Sequence, residues 1–307
     1  MKVLFVGMGS IAKKHLLVLK DLLPETEIFA LRSSVKSNEI ESVKSIYKLE
    51  DLPKNLDFAI ISNPTYLHSK TLFHLLPKNI PLLIEKPIVH SIKEANILLN
   101  DFDTKNIVSL ISCNLRFHPC IIYLKEHLIK LDWIEINAYC GSYLPEWRPD
   151  SDYLESYSSS REYGGGVDLD LIHELDYIYY LIGKPKQVNS TKCNISSLGI
   201  NAPDYANYLL EFDKGIVNVS LNYYRRKPKR TIEIVTNNDV LVVDLLKYTI
   251  FSEVENKIIF SEKIERLDLL KRQMSYFLNC IKNNQPTMNP IHESIEVLKI
   301  CLNDENE

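Results

Sequence analysis

Two textures of hydrophobic and polar positions divide the chain. In the first, short apolar runs alternate with longer segments of helical spacing. KVLFVG (2–7), EIFAL (27–31), LDFAIISNP (56–64) and IPLLIEKP (80–87) read as strands buried on both faces. His15, Leu16, Leu17 and Leu19 continue the first of them as a helix. Strands separated by helices predict right-handed crossovers, a parallel sheet, and ligands beyond the carboxyl ends of the strands. After Arg116-Phe117-His118-Pro119 the texture changes. WIEINAYC (133–140), DYANYLLEF (204–212), GIVNVSLNYY (215–224), TIEIVT (231–236) and DVLVVDL (239–245) read as strands. Short turns such as Asp213-Lys214-Gly215 and Asn237-Asn238-Asp239 join several of them, which predicts antiparallel pairing. Helical patterns return at 266–283 and 290–302. The patterning therefore predicts two domains, 1–118 and 119–307.

One stretch resists simple patterning: YGGGVDLDLIHELDY (163–177). Val167, Leu171, Leu175, Ile178 and Ile182 follow the spacing of a buried helix face. Three aspartates, a glutamate and a histidine share the segment. Asp170, His173, Glu174 and Tyr177 fall at i, i+3, i+4 and i+7, which predicts a second, ionisable face. The glycines allow close approach of the chain to a ligand.

Composition narrows the classes. A net charge of −4 gives no electrostatic ground for binding nucleic acid or an anionic membrane. No apolar run is long enough to span a bilayer. The first residues, MKVLFVGMGSIAKKHL, resemble a secretory leader only until Gly7, Gly9 and Ser10 interrupt them. Six scattered cysteines without a C-x-x-C predict reduced thiols and a cytoplasmic protein, with no metal site.

The candidate chemistry begins at Gly7-Met8-Gly9-Ser10-Ile11-Ala12, a G-x-G-x-x-A between strand and helix. Gly7 permits the tight turn and Gly9 lets a pyrophosphate reach the backbone. Ala12 lets helix and strand pack closely, with the helix N-terminus toward the phosphates. The motif in this context predicts dinucleotide binding in a Rossmann domain. An NAD-binding strand end carries an acid for the ribose 2′-hydroxyl. Here Leu31-Arg32-Ser33-Ser34 follows instead. Arg32 suits a 2′-phosphate and Ser33 can donate to it, so NADP is favoured over NAD. Asn63, Pro64, His68, Glu85 and Lys86 fall at further strand ends and complete the predicted cofactor set.

VLFVGMGSIA, ISNPTYLH, IEKP, NLRFHP and GGGVDLDLIHELD, in this order and spacing, resemble the glucose–fructose oxidoreductase/inositol dehydrogenase (Gfo/Idh/MocA) family along the whole chain. The resemblance implies an α/β fold: an N-terminal Rossmann domain with a doubly wound parallel sheet, then an α+β domain with an open, mostly antiparallel sheet. It also implies hydride transfer at a sugar or cyclitol carbon and a homodimer or homotetramer. It places Lys86, His173 and Asp170 in the catalytic set. A histidine near neutrality can take or return a hydroxyl proton, and a lysine can polarise the reacting oxygen. Many members have D-x-x-x-H where this chain has D-x-x-H, so Glu174 or Asp176 stands as an alternative partner for His173. Two further readings remain beside net oxidoreduction. One is a glycosidase that oxidises transiently with bound NAD; the other is a dinucleotide-binding sensor.

GSYLPEWRPDSDYLESYSSSREYGGG (141–166) is rich in Tyr, Trp, Arg and Ser. Aromatic faces suit sugar rings, and arginines suit a phosphate or carboxylate. Tyr143, Trp147, Arg148 and Arg161, with Arg116 and His173, form the predicted substrate set. The arginines favour an anionic substrate, such as a nucleotide-linked or acidic sugar. YYRRKPKR (223–230) reads as a solvated hairpin loop, with a substrate phosphate or a neighbouring subunit as its alternative contacts.

Overall fold

The computed structural model describes residues 1–35, 39–103, 107–127 and 131–303. They form two compact units. The first comprises Met1–Asn114 and Glu265–Ile295, and the second Leu115–Ile264 with the C-terminal residues from Glu296.

The first unit holds a six-stranded sheet of β1 (Lys2–Val6), β2 (Glu27–Leu31), β3 (Val43–Ile46), β4 (Phe58–Ile61), β5 (Leu82–Ile84) and β6 (Ser109–Ile111). Every pairing is parallel, in the order β3-β2-β1-β4-β5-β6. The chain thus winds outward both ways from β1, and the switch point lies between β1 and β4. Helices α1 (Ser10–Leu22), α2 (His68–Leu75) and α3 (Ile92–Asp103) provide crossovers. Val3, Phe5, Phe58 and Ile60 are fully buried, as expected for strands covered on both faces.

The patterning assigns residues 266–283 to the second domain, but they return to the first unit. They form α7 (Arg266–Asn283), opened by a capping box between Glu265 and Asp268. Leu270, Met274 and Phe277 enter the core around β1 and α1. Phe277 meets Phe58 edge-on at 5.6 Å. This packing is non-local, so the spacing of α7 alone does not reveal it.

In the second unit, α4 (Pro119–His127) precedes β7 (Trp133–Tyr143). Next come α5 (Val167–Asp170), α6 (His173–Ile182) and β8 (Gln187–Cys193). β9 (Tyr205–Glu211), β10 (Ile216–Asn222), β11 (Tyr224–Thr236), β12 (Val240–Asp244), β13 (Thr249–Ser252) and β14 (Lys257–Ser261) complete the sheet, and of α8 (Ile291–Cys301) the residues from Glu296 belong to this unit. The eight strands run in the order β14-β13-β12-β11-β7-β10-β9-β8. Only β7–β10 is parallel; the other pairs are antiparallel. One face is apolar and buried, with Ile136, Ala138, Val217, Val219, Ile232 and Ile234. α5 and α6 lie against that face.

Two local readings change. Residues 224–230 are not a hairpin loop. They begin the thirteen-residue strand β11, whose register on β7 shifts between Tyr224 and Lys229. The Asp-rich segment is not one helix. It breaks at Leu171-Ile172, between the single turn of α5 and the longer α6.

Candidate functional site

In the first unit the candidate residues gather at the switch point between β1 and β4. Gly7 has φ of +84°, and a Cβ there would sit 2.8 Å from the backbone of Asn63. Only glycine fits both the conformation and the approach. A Cβ on Gly9, by contrast, would point into open space. Behind it α1 starts with no side-chain cap and no acidic residue in its first turn. Ser10, Ile11 and Ala12 form that turn, and Ala12 is fully buried. Uncapped N–H groups beside open space fit the pyrophosphate of a dinucleotide.

Arg32 and Ser33 follow β2 directly. The Arg32 guanidinium lies 3.3 Å from Ser45 Oγ on β3. Ser33 is exposed. Asn63 ends the β4 segment, its amide donating to Thr71 Oγ1 at 2.9 Å, and Pro64 follows it.

His68 is expected at the cofactor but is almost fully buried in the protein. Nε2 lies 2.9 Å from the Asn63 carbonyl, and Nδ1 lies 3.1 Å from those of Pro87 and Ile88. The ring straps the end of β4 to the segment after Lys86. Burial lowers its pKa, and the carbonyl contacts only partly oppose that shift. We therefore reassign His68 from a cofactor contact to a residue that positions the Lys86 loop.

Glu85 is likewise held within the unit. Its carboxylate meets His15 Nε2, on α1, at 2.7 Å. Burial pushes the Glu85 pKa up, but the His15 hydrogen bond and charge, helped by Ser112, bring it below the ordinary value. The pair couples α1 to the segment after β5 that carries Lys86. The Lys86-Pro87 peptide is cis, and Lys86 is half-buried.

In the second unit the candidate residues gather around α5 and α6. Each acid there has its own partner. Asp168 pairs with Arg161 at 3.1 Å. Asp170 accepts from Tyr223 Oη at 2.6 Å, and the Tyr157 phenol also hydrogen-bonds it. Glu174 takes a bidentate bond from Arg230, at 2.5 and 3.1 Å. Asp176 takes another from Arg116, at 2.9 and 2.7 Å. All four acids are buried, whereas His173, at the first position of α6, is half-buried. The segment thus carries many ionisable groups because most of them anchor it, and His173 is the more exposed member.

This placement corrects several expectations. Arg116 is 1% exposed and bonded to Asp176, so it braces α6 rather than facing substrate. Arg161 holds Asp168 and the Gly165 carbonyl, and so fixes the glycine run. Glu174 and Asp176 are committed to arginines and make poor alternatives to Asp170. Arg148 is exposed, with its guanidinium 5.2 Å above the Tyr157 ring. Trp147 is 38% exposed and meets Tyr223 edge-on at 5.3 Å. Tyr143 ends β7 beneath the Arg226 guanidinium, 3.6 Å from its ring centroid.

Trp147, Tyr223, Asp170, Tyr157 and Arg148 therefore form one connected group. Sequence reasoning misses Tyr157 and Tyr223 in it. Tyr223 lies 53 residues from Asp170, and only the β10–β11 junction brings it back. Among the described residues, no group of three His, Cys, Asp or Glu is arranged to hold a metal ion. No described helix is long and apolar enough to cross a membrane.

Comparison with known proteins adds to this geometry. Residues 1–111 match the model of the oxidoreductase family with an NAD-binding Rossmann fold. Residues 135–241 match the GFO/IDH/MocA C-terminal domain. Among curated proteins, 2,7-anhydro-N-acetylneuraminate hydratase of Mediterraneibacter gnavus is 26% identical over 156 residues, 50% of this chain and 40% of that one. The chain spans well under two thirds of the length of the curated relatives it matches first. Among solved structures, UDP-N-acetylglucosamine 3-dehydrogenase from Acidithiobacillus ferrooxidans superposes with a TM-score of 0.79 at 20% identity. That match covers 99% of this chain and 96% of that one. Levoglucosan dehydrogenase in complex with NADH and levoglucosan gives 0.84 at 15% identity, covering 98% and 95%. At these identities the structural matches establish the fold alone.

Proposed function

Since the chain belongs to the Gfo/Idh/MocA oxidoreductase family, we propose that it transfers a hydride between NADP and a carbinol carbon of a sugar derivative. The observation that carries this reading is the pairing of two features. One is the uncapped α1 N-terminus beside Gly9. The other is a half-buried histidine on a helix whose neighbouring acids are held by other groups.

When bound, the nicotinamide supplies the hydride acceptor or donor. His173 takes the hydroxyl proton in oxidation and returns it in reduction. Lys86 donates to the reacting oxygen and favours the charge that develops there. Asp170, held by Tyr223 and Tyr157, positions the histidine end of the site. Arg32 binds the 2′-phosphate. Trp147 and Arg148 take the sugar ring and an acidic substituent, which makes a nucleotide-linked or acidic sugar the favoured class.

The test is a panel of free, phosphorylated, acidic and nucleotide-linked sugars, offered with NADP and with NADPH. The reading expects a net change in reduced nicotinamide with at least one anionic sugar. It also expects that change to vanish in Lys86→Ala and His173→Ala. No net change with any sugar, despite tight dinucleotide binding, would contradict it. A second reading draws on one comparison. A relative named a hydratase lies within the matched set, so transient oxidation without net redox is the alternative. It predicts sugar conversion with no change in reduced nicotinamide.

A further inference from the structure

α7 brings a polar side chain into the core of the first unit. Gln273 is fully buried and lies on the same helix as Leu270, Met274 and Phe277, which pack around β1 and α1. Its side-chain Oε1 lies 3.3 Å from Ser112 Oγ, just past the end of β6. Ser112 is buried and also hydrogen-bonds Glu85. Glu85 in turn meets His15 Nε2 on α1, where the ring is buried as well. Side chains from α7, α1 and the ends of β5 and β6 thus form one buried path. It reaches the residue just before Lys86.

The donors along this path can be assigned. An ionised Glu85 accepts only. His15 therefore carries its hydrogen on Nε2, and Nδ1 is buried without a partner, as suits a bare lone pair. Ser112 has a single hydroxyl hydrogen, and the Glu85 carboxylate requires it. Gln273 Nε2 is buried without a partner. Turning the amide over aims its N–H at Ser112 Oγ and leaves the Ser112 hydrogen for Glu85. The path then runs from Gln273 to Ser112 to Glu85, with His15 donating to the same carboxylate.

A glutamine inside an apolar core costs stability unless it is bonded, and a satisfied buried network fixes one geometry. What it fixes here is the side chain that precedes Lys86. On the other side of Lys86, His68 holds the carbonyls of Pro87 and Ile88. Lys86 is thus anchored through both of its neighbours in the chain.

We propose that Gln273, Ser112 and His15 are positioning residues for Lys86, acting through the Glu85 carboxylate. The use of Lys86 in the reaction rests on the hydride-transfer reading; the hold on Lys86 does not. With the donors in place, the charge of Glu85 is met from the core. Without them, more of it is met by Lys86, the other charge that acts on Glu85. The ammonium then bonds its own neighbour in preference to a reacting oxygen.

Two readouts on the full chain test this. The first needs no substrate: trace acetylation at one pH, with Lys86 compared by mass spectrometry with the exposed Lys247. Gln273→Met keeps the volume and the helix propensity and removes the donor. Lys86 acetylation should slow about threefold or more in Gln273→Met and in His15→Leu, one hydrogen bond having been lost in each. His15→Gln restores a donor close to Nε2 and should return the rate to within about twofold of wild type. A wild-type near-ultraviolet circular dichroism spectrum shows that each variant is folded. The second readout is kinetic, with the anionic sugar that wild type turns over. Gln273→Met should lower kcat about tenfold and leave sugar KM and NADPH affinity within about twofold. Unchanged acetylation in Gln273→Met and His15→Leu would overturn the inference. So would equal slowing in His15→Gln and His15→Leu, since ring packing would then explain it. A parallel loss of kcat and NADPH affinity would overturn it too. A wild-type protein that turns over no sugar contradicts the hydride-transfer reading, and the acetylation rates still decide this one.

Discussion

Tyr223, at the β10–β11 junction, donates to Asp170, at the end of α5, across 2.6 Å in a setting where both side chains are buried. The bond ties the sheet to the break in the Asp-rich segment. Tyr223→Phe keeps the ring and removes the donor. The variant should lose about 1–2 kcal/mol of stability, because a buried carboxylate oxygen is left short of a partner. If Asp170 positions the site as proposed, kcat should fall about tenfold while dinucleotide affinity is unchanged. Chemical denaturation and steady-state kinetics on the same preparation check both.

Arg116 and Asp176 form a bidentate pair with each partner 1% exposed. Asp176→Asn leaves a buried guanidinium without its counter-charge. Breaking such a pair costs about 3–5 kcal/mol. The denaturation midpoint should drop accordingly. Arg148→Ala, by contrast, removes an exposed side chain and should leave the midpoint within about 0.5 kcal/mol of wild type. A large loss at Arg148 would show that the stacked arginine braces its loop instead of facing a ligand.

Arg32 follows β2 directly and is proposed to select between the two nicotinamide cofactors. Arg32→Ala should weaken NADPH about tenfold and leave NADH nearly unchanged, since the proposed contact is to the 2′-phosphate alone. Paired fluorescence titrations read the ratio directly. Equal loss for both cofactors would place Arg32 outside cofactor discrimination.

His68 links stability to pH. Burial lowers its folded-state pKa, while the unfolded chain titrates near 6.5. Below that value the unfolded state takes up the proton first, so stability falls as pH drops through about 6.5 toward the folded-state value. The slope cannot exceed about 1.4 kcal/mol per pH unit from this one group. His68→Gln should flatten the dependence across that window. Urea midpoints of both proteins at several pH values provide the measurement, and an unchanged slope would remove His68 as its source.

Much of the first unit was readable from patterning because its signals are local. Four apolar runs correspond to β1, β2, β4 and β5, and G-x-G-x-x-A falls where β1 passes into α1. α7 was legible as a helix but not as part of this unit, because only its packing against α1 and β1 places it there. In the second unit β7, β9, β10, β12 and the later part of β11 were legible, whereas β8, β13 and β14 were not. The basic run 223–230 read as a loop because charge and Pro228 disguise a strand whose outer face stacks on tyrosines. The Asp-rich segment showed its ionisable character plainly. Its partners did not show, since Arg116, Arg230 and Tyr223 arrive from between 53 and 60 residues away.

The central claim is hydride transfer between a nicotinamide and a sugar carbon. Deuterium placed at C4 of the reduced nicotinamide tests it most directly. Wild-type protein, NADPH labelled on either face, and the panel of oxidised anionic sugars are incubated together, and the products are read by mass spectrometry. The account predicts one deuterium in the sugar from one face only, and none with His173→Ala or Lys86→Ala. Conversion of a sugar with no deuterium from either face would contradict it.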